Sequence, residues 1–156
     1  MMNKKDIAIL SHLRKDARET LTKMSKMTTI PVSTIYDRMK AQENDTIKGY
    51  TALLDFSKLG FNARCKIIIK VNRDKRDDVE KYLLSHQSIN TLYKINNGFD
   101  FMMECIFRDM KGSEEFLENL DMKFGVKTKQ VYYIIDDIKR EAFMADPVLV
   151  ERFGMS

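Results

Sequence analysis

TKMSKMTTIPVSTIYDRMKAQE, residues 22–43, reads as a short helix, a tight turn and a second helix. Pro31 forbids a continuous helix through the turn and disfavours helical geometry at Ile30 before it. Ser33 or Thr34 is then placed to cap the second helix, because a side-chain oxygen there accepts from free N–H groups of the first turn. Ile35, Met39 and Val32 make one inward stripe, which leaves Thr34, Tyr36, Asp37, Arg38 and Lys40 outward. A short helix with outward hydroxyl, phenol and guanidinium groups suits the major groove of double-stranded DNA. The same pattern also fits a plain amphipathic helix of a small bundle, so its surroundings have to decide.

Upstream, residues 3–14 carry Ile7, Ile9, Leu10 and Leu13 at helical spacing, with Asp6 as N-cap. Lys15 and Asp16 interrupt the pattern, and residues 17–26 form a second short helix with Leu21 and Met24 inward. Three helices before residue 44, the last two joined by a short turn, follow the helix-turn-helix plan. Downstream, Asn44 and Asp45 favour a turn. Residues 46–54 then read as two short strands bent at Gly49, a wing that sets Lys48 near the DNA backbone. These residues predict a winged helix-turn-helix domain over 1–52 and a linker over 53–61.

The charge distribution supports this reading. Residues 1–60 hold eleven Lys or Arg against seven Asp or Glu, and sixteen of each sign follow. The whole net charge of +4 therefore sits with the candidate DNA-reading unit, as phosphate neutralisation requires.

From Asn62 the hydrophobic period changes from 3.6 to 2. Ala63, Cys65, Ile67, Ile69 and Val71 lie on one face of a strand, with Arg64, Lys66, Ile68 and Lys70 on the other. Residues 76–85 read as a helix through Val79, Tyr82 and Leu83. Residues 89–95 and 99–108 read as strands about an Asn96–Asn97–Gly98 hairpin turn, where positive φ is tolerated. A helix over 111–124, built on Phe116, Leu117, Leu120 and Phe124, and a strand over 126–135 complete the run. This βαββαβ order predicts a ferredoxin-like domain over 62–137, and an α+β chain as a whole. The helices cover one sheet face. The other carries Arg64, Lys66, Ile68, Met102, Glu104 and Ile106, a mixed surface suited to pairing with a second copy. The extension over 138–156 is split by Pro147. Phe143, Met144, Val148, Leu149, Val150 and Phe153 make it too apolar for a disordered end, so it is expected to pack on a domain or a partner.

Cys65 and Cys105 fall in predicted strands and read as small buried apolar residues. With only His12 and His86 beside them, no metal-ligand spacing exists and no cofactor is expected. Both histidines are expected at the surface. No apolar run approaches the roughly 18 residues of a membrane span, and residues 1–6 lack the apolar core of a secretory signal, so no membrane partner and a cytoplasmic location are expected.

The layout resembles the Lrp/AsnC, or feast/famine, transcriptional regulators over residues 4–140. The resemblance rests on Asp6–Leu10, Asp16-Ala17-Arg18, Ser33 to Arg38, Ile47-Lys48-Gly49-Tyr50, Leu59-Gly60 and the hairpin Asn97-Gly98-Phe99-Asp100. It implies a DNA-binding unit followed by a RAM-type amino-acid-sensing domain. It also implies a homodimer, with tetramers or octamers built from dimers, that reads a palindromic operator. DNA reading then falls to the outward residues Ser33, Thr34, Tyr36, Asp37, Arg38 and Lys40, with Lys48 of the wing. Arg38 is either a phosphate or guanine contact, or a scaffold paired with an acid such as Asp16 or Asp37. The resemblance places an amino-acid effector at Asn96, Asn97, Gly98, Phe99 and Asp100, with Gly98 opening backbone N–H groups to a carboxylate and Asp100 accepting from an ammonium. Asn97 stands where the family pattern has Thr. The alternative is an enzyme resembling the siroheme decarboxylases, which share this two-domain plan and would need histidine or arginine beside a large pocket.

Overall fold

The computed structural model describes residues 2–150, so Phe153 of the expected apolar tail lies outside the described residues. The chain divides into two compact units. One joins residues up to Leu53 with the segment from Ile138 onward; the other is Leu54–Asp137.

The first unit begins with α1 (Lys4–Lys15), α2 (Leu21–Thr28) and α3 (Val32–Glu43). Asn3, not Asp6, is the N-cap of α1. Its Oδ1 accepts from Asp6 N at 2.9 Å, and the Asp6 carboxylate reaches back to Asn3 N, a reciprocal capping box. The helix therefore starts a turn earlier than an Asp6 cap allows. Thr20 caps α2 through Lys23 N, so this helix starts four residues later than its periodicity predicts. Ile9, Leu13, Met24, Ile30 and Ile35 form the core of the unit, with Leu21, Met39 and Ile47 packed at its edge. Val32, read as inward, is 42% exposed. It is the first residue of α3. Residues 47–55 form no strand, so the wing expected over 46–54 is absent as a ladder; the chain runs on without regular structure and mostly exposed. A two-stranded ribbon of this length has no third strand or helix to bury its apolar side, and is marginal by itself.

After the second unit the chain rejoins the first. The helix α6 (Pro147–Val150) packs against α1, Val150 is buried, and the Arg14 guanidinium donates to Phe143 O at 3.0 Å and pairs with Glu141 at 3.3 Å.

The second unit opens with a 3-10 turn, Phe56–Leu59, inside the segment read as a linker. It continues β1 (Ala63–Ile69), α4 (Arg76–Ser85), β2 (Ile89–Lys94), β3 (Phe101–Phe107), α5 (Met110–Phe124) and β4 (Lys129–Tyr133). The antiparallel sheet has the order β2-β3-β1-β4, the ferredoxin-like arrangement. Burial alternates strictly along β1, as the period of two demands. Val79 and Leu83 of α4 and Phe116, Leu117 and Leu120 of α5 close over Cys65, Ile67, Ile69, Met103 and Cys105. The cysteines are buried, unbridged and directly opposite one another in the β1–β3 register. Asp109 caps α5 through Gly112 N, and Gly125 ends it at φ 65°.

On the other face Glu104 is only 7% exposed. It accepts from Asn90 Nδ2 at 2.7 Å and pairs with Arg64 and Lys66 at 3.5 and 3.8 Å, while Arg64 also forks onto Asp137 at 2.6 and 2.7 Å. No helix among the described residues is long and apolar enough to cross a membrane.

Candidate nucleic-acid interface and effector hairpin

The turn between α2 and α3 is fixed by its own hydroxyls. Thr29 ends α2 in the left-handed region at φ 57°, Thr28 Oγ1 donates to Met24 O, and Ser25 Oγ donates to Ile30 O at 2.6 Å. Pro31 occupies the N-cap position of α3 and offers no side-chain acceptor, so neither Ser33 nor Thr34 caps the helix. Both lie inside its first turn instead, Ser33 exposed and Thr34 half-buried. Their hydroxyls and the first free N–H groups of α3 stand at one helix end, the arrangement that receives a phosphate.

Farther along α3, Tyr36, Asp37 and Lys40 are exposed, and the Lys40 ammonium lies 5.7 Å above the Tyr36 ring centroid. Lys40 also pairs with Glu43 at 3.5 Å, whose other oxygen accepts from Tyr50 OH. Desolvation, then the Glu43 charge, raises the Tyr50 pKa, so this phenol stays protonated. Lys48 is exposed and donates to Asp45 O at 2.9 Å.

Arg38 differs from its neighbours. It turns back on α1 and donates to Asp6 Oδ1 at 2.8 Å, so its acid partner is neither Asp16 nor Asp37. One carboxylate thereby closes the cap of α1 and anchors α3. His12 is not at the surface: it is 6% exposed, and its Nδ1 lies 3.0 Å from Glu19 Oε1, tying the last turn of α1 to the residue before the α2 cap. Periodicity hid this pair, because a histidine on a helix reads as polar whether or not a buried acid meets it. His86 is half-buried and packs edge-on against Phe116, with ring centroids 4.8 Å apart.

In the second unit the turn between β2 and β3 has Asn97 at φ 64° and Gly98 at φ 83°. Asn96, Asn97 and Gly98 are exposed, and a Cβ at Gly98 would meet nothing within 4 Å. Phe99 is half-buried. The Asp100 carboxylate is turned inward. Its Oδ2 accepts from Val71 N at 2.6 Å and its Oδ1 faces Arg76 Nε at 2.7 Å, while Asp100 N donates to Ile69 O. Asp100 therefore pins the hairpin to the end of β1 and the start of α4. Among the described residues no cluster of three or more His, Cys, Asp and Glu is placed to hold a metal.

The chain thus joins a helix-turn-helix unit to a ferredoxin-like unit, the two-domain plan expected of a regulator of transcription. Residues 64–142 match the model of the Lrp/AsnC ligand binding domain. The HTH-type transcriptional regulator FL11 of Pyrococcus furiosus is 33% identical over 118 residues, covering 75% of this chain and 76% of that protein. A second HTH-type transcriptional regulator of the same organism is 27% identical over 143 residues, covering 91% and 96%. Among solved structures, a transcriptional regulator of Neisseria meningitidis in complex with L-Met superposes with a TM-score of 0.82 at 21% identity, covering 90% of this chain and 94% of that one. LrpC of B. subtilis does so with a TM-score of 0.80 at 19% identity, covering 89% and 98%. The chain belongs to the Lrp/AsnC family of transcriptional regulators. It is a regulator and not an enzyme, because the matched family and the relatives similar to it are transcriptional regulators.

Proposed function

We propose that the protein lays α3 in the major groove of its operator and answers to a small effector held at the 96–100 hairpin. Ser33 and Thr34 meet phosphates at the start of α3, Tyr36, Asp37 and Lys40 face the bases or the adjacent backbone, and Lys48 meets the backbone beside them. Arg38 is a positioning residue that acts through Asp6. The observation that carries this reading is the division of α3 itself: Arg38 is locked inward, while Tyr36, Asp37 and Lys40 stay open to solvent.

The half-buried sheet face around Glu104 supports a homodimer, from which tetramers or octamers are built. A dimer presents two recognition helices, which calls for a roughly palindromic operator. At the hairpin, the open backbone at Asn97 and Gly98 receives an effector carboxylate, and Asp100 holds the hairpin in shape. An amino acid is the proposed effector class, supported by the ligand-binding description of the matched domain.

Selection of bound genomic fragments at physiological salt, with and without the twenty amino acids, tests both parts. The expected result is a common palindrome whose affinity falls steeply with salt and shifts with at least one amino acid. No enriched fragment would defeat the DNA reading, and enrichment insensitive to every amino acid would defeat the effector reading.

A further inference from the structure

Three acids of the first unit are engaged inside the protein. Asp6 is held by Arg38 and by the cap of α1, Glu19 by His12, and Glu43 by Lys40 and Tyr50. Asp37 of α3 differs from them. It is exposed, and among the described residues its carboxylate makes no hydrogen bond or ion pair. It stands two residues after the fully buried Ile35, which puts it roughly 160° around the helix axis, at the centre of the solvent face. Ser33 lies one turn before it and Lys40 one turn after, each about 5–6 Å away between Cβ atoms. The Lys40 ammonium is turned to Glu43 and Tyr36, and the Arg38 guanidinium to Asp6, so neither neutralises Asp37.

With α3 in the major groove, the reading on which this assignment rests, Asp37 faces base edges. Phosphates repel its carboxylate, so the residue weakens binding unless a base offers it a donor. In the major groove guanine shows two acceptors, adenine an acceptor beside its donor, and thymine an acceptor beside its methyl group. Cytosine alone shows a donor, the N4 amino group, and no acceptor. Any other base sets the carboxylate against a lone pair and leaves it desolvated without a full complement of partners.

We propose that Asp37 is a specificity-determining residue that selects cytosine at one position of each operator half-site. It accepts from the N4 amino group and rejects the other three bases. No internal bond of Asp37 has to break for this contact to form. The same charge acts against DNA that lacks the cytosine, so Asp37 weakens binding to random sequence as it sharpens the choice of operator.

Selection from a randomised duplex library, with the full chain as wild type, Asp37→Asn and Asp37→Ala, tests the assignment. Wild type is expected to enrich cytosine at one base pair of each half-site. Asp37→Asn sets a donor beside the acceptor, the match for adenine N6 and N7, so that position should turn to adenine while the rest of the site is kept. Asp37→Ala should admit all four bases there. In fluorescence anisotropy on duplexes differing only at that base pair, wild type should prefer cytosine roughly fivefold to a hundredfold, and Asp37→Ala less than about twofold. Asp37→Ala should also bind random duplex more tightly than wild type, by a margin that shrinks as salt rises. Asp37 is exposed and unpaired, so both variants should keep the wild-type urea midpoint. A wild type that enriches no sequence would remove the operator reading and this assignment with it. A wild-type palindrome reproduced base for base by both variants would leave the operator reading standing and overturn the assignment alone. Random-duplex binding by Asp37→Ala no tighter than that of wild type would overturn it as well.

Discussion

Arg38 of α3 and Asp6 of α1 are joined at 2.8 Å by a carboxylate whose other oxygen closes the cap of its own helix. Removing Asp6 should therefore disturb both the cap and the link to α3, and removing Arg38 the link alone. Arg38→Ala and Asp6→Ala are each expected to cost the helix-turn-helix unit about 1–3 kcal/mol in urea unfolding. Together they should cost less than their sum, because each removes the same bond. Additive losses would show that the pair does not couple the helices.

Lys40 is exposed and makes only surface contacts with Glu43 and Tyr36, so it is free to turn to a phosphate. Lys40→Ala should leave stability within about 0.5 kcal/mol of wild type. It should weaken binding to operator and random DNA alike, and lower the slope of log affinity against log salt by about one. Fluorescence anisotropy at several salt concentrations checks this. A loss confined to the operator would move Lys40 from phosphate contact to base reading.

The second unit was legible in the sequence almost element by element. Strict alternation from Ala63 to Ile69, and Val79 with Leu83 four residues apart, admit one period each. The hairpin was equally plain, because Asn97 and Gly98 stand where positive φ is required. The first unit was legible in its helices and not in its joints. Asn3 took the cap from Asp6, Pro31 left Ser33 and Thr34 without capping work, and the strands expected about Gly49 did not pair. Each of these outcomes turns on a competing partner, and local pattern carries no record of partners. The same holds at the site. Residue type put Arg38 and Asp100 on the list, but only tertiary contacts show that both point inward.

Asp100 accepts from the Val71 amide at 2.6 Å. Asp100→Ala leaves that buried N–H without a partner, and about 1.5–3 kcal/mol of local stability should go with it. Hydrogen exchange at Val71 should speed accordingly, effector response should vanish, and DNA binding without effector should persist. Arg76→Ala should cost less, because the Arg76 side chain is 49% exposed. Retained effector response in Asp100→Ala would show that the hairpin shape is not what the effector reads.

Burial, reinforced by the Lys123 charge, holds the His86 pKa below its ordinary 6.5. The unfolded chain thus takes up this proton at higher pH than the folded chain. The contribution is whole above about pH 6.5 and is lost as pH falls through the folded value. Urea midpoints between pH 5 and 8 should show the loss in the wild type and a flatter profile in His86→Gln. An identical slope in both would assign the acid sensitivity elsewhere.

Arg14→Ala removes two of the tail's contacts on α1, to Phe143 O and to Glu141. These contacts are exposed, so only about 0.5–1 kcal/mol is expected to go. Cutting the chain after Asp137 should do more, because it also strips α6 with the buried Val150 from α1. Faster amide exchange confined to α1 would be the signature, read by mass spectrometry.

The return of residues 138–150 to α1 also orders events on the ribosome. The three helices of the reading head emerge first, yet α6, which packs on α1, is synthesised only after the entire ferredoxin-like unit. Until then the nascent chain shows an uncovered apolar flank, so the part of the molecule that is made first is the part that is finished last.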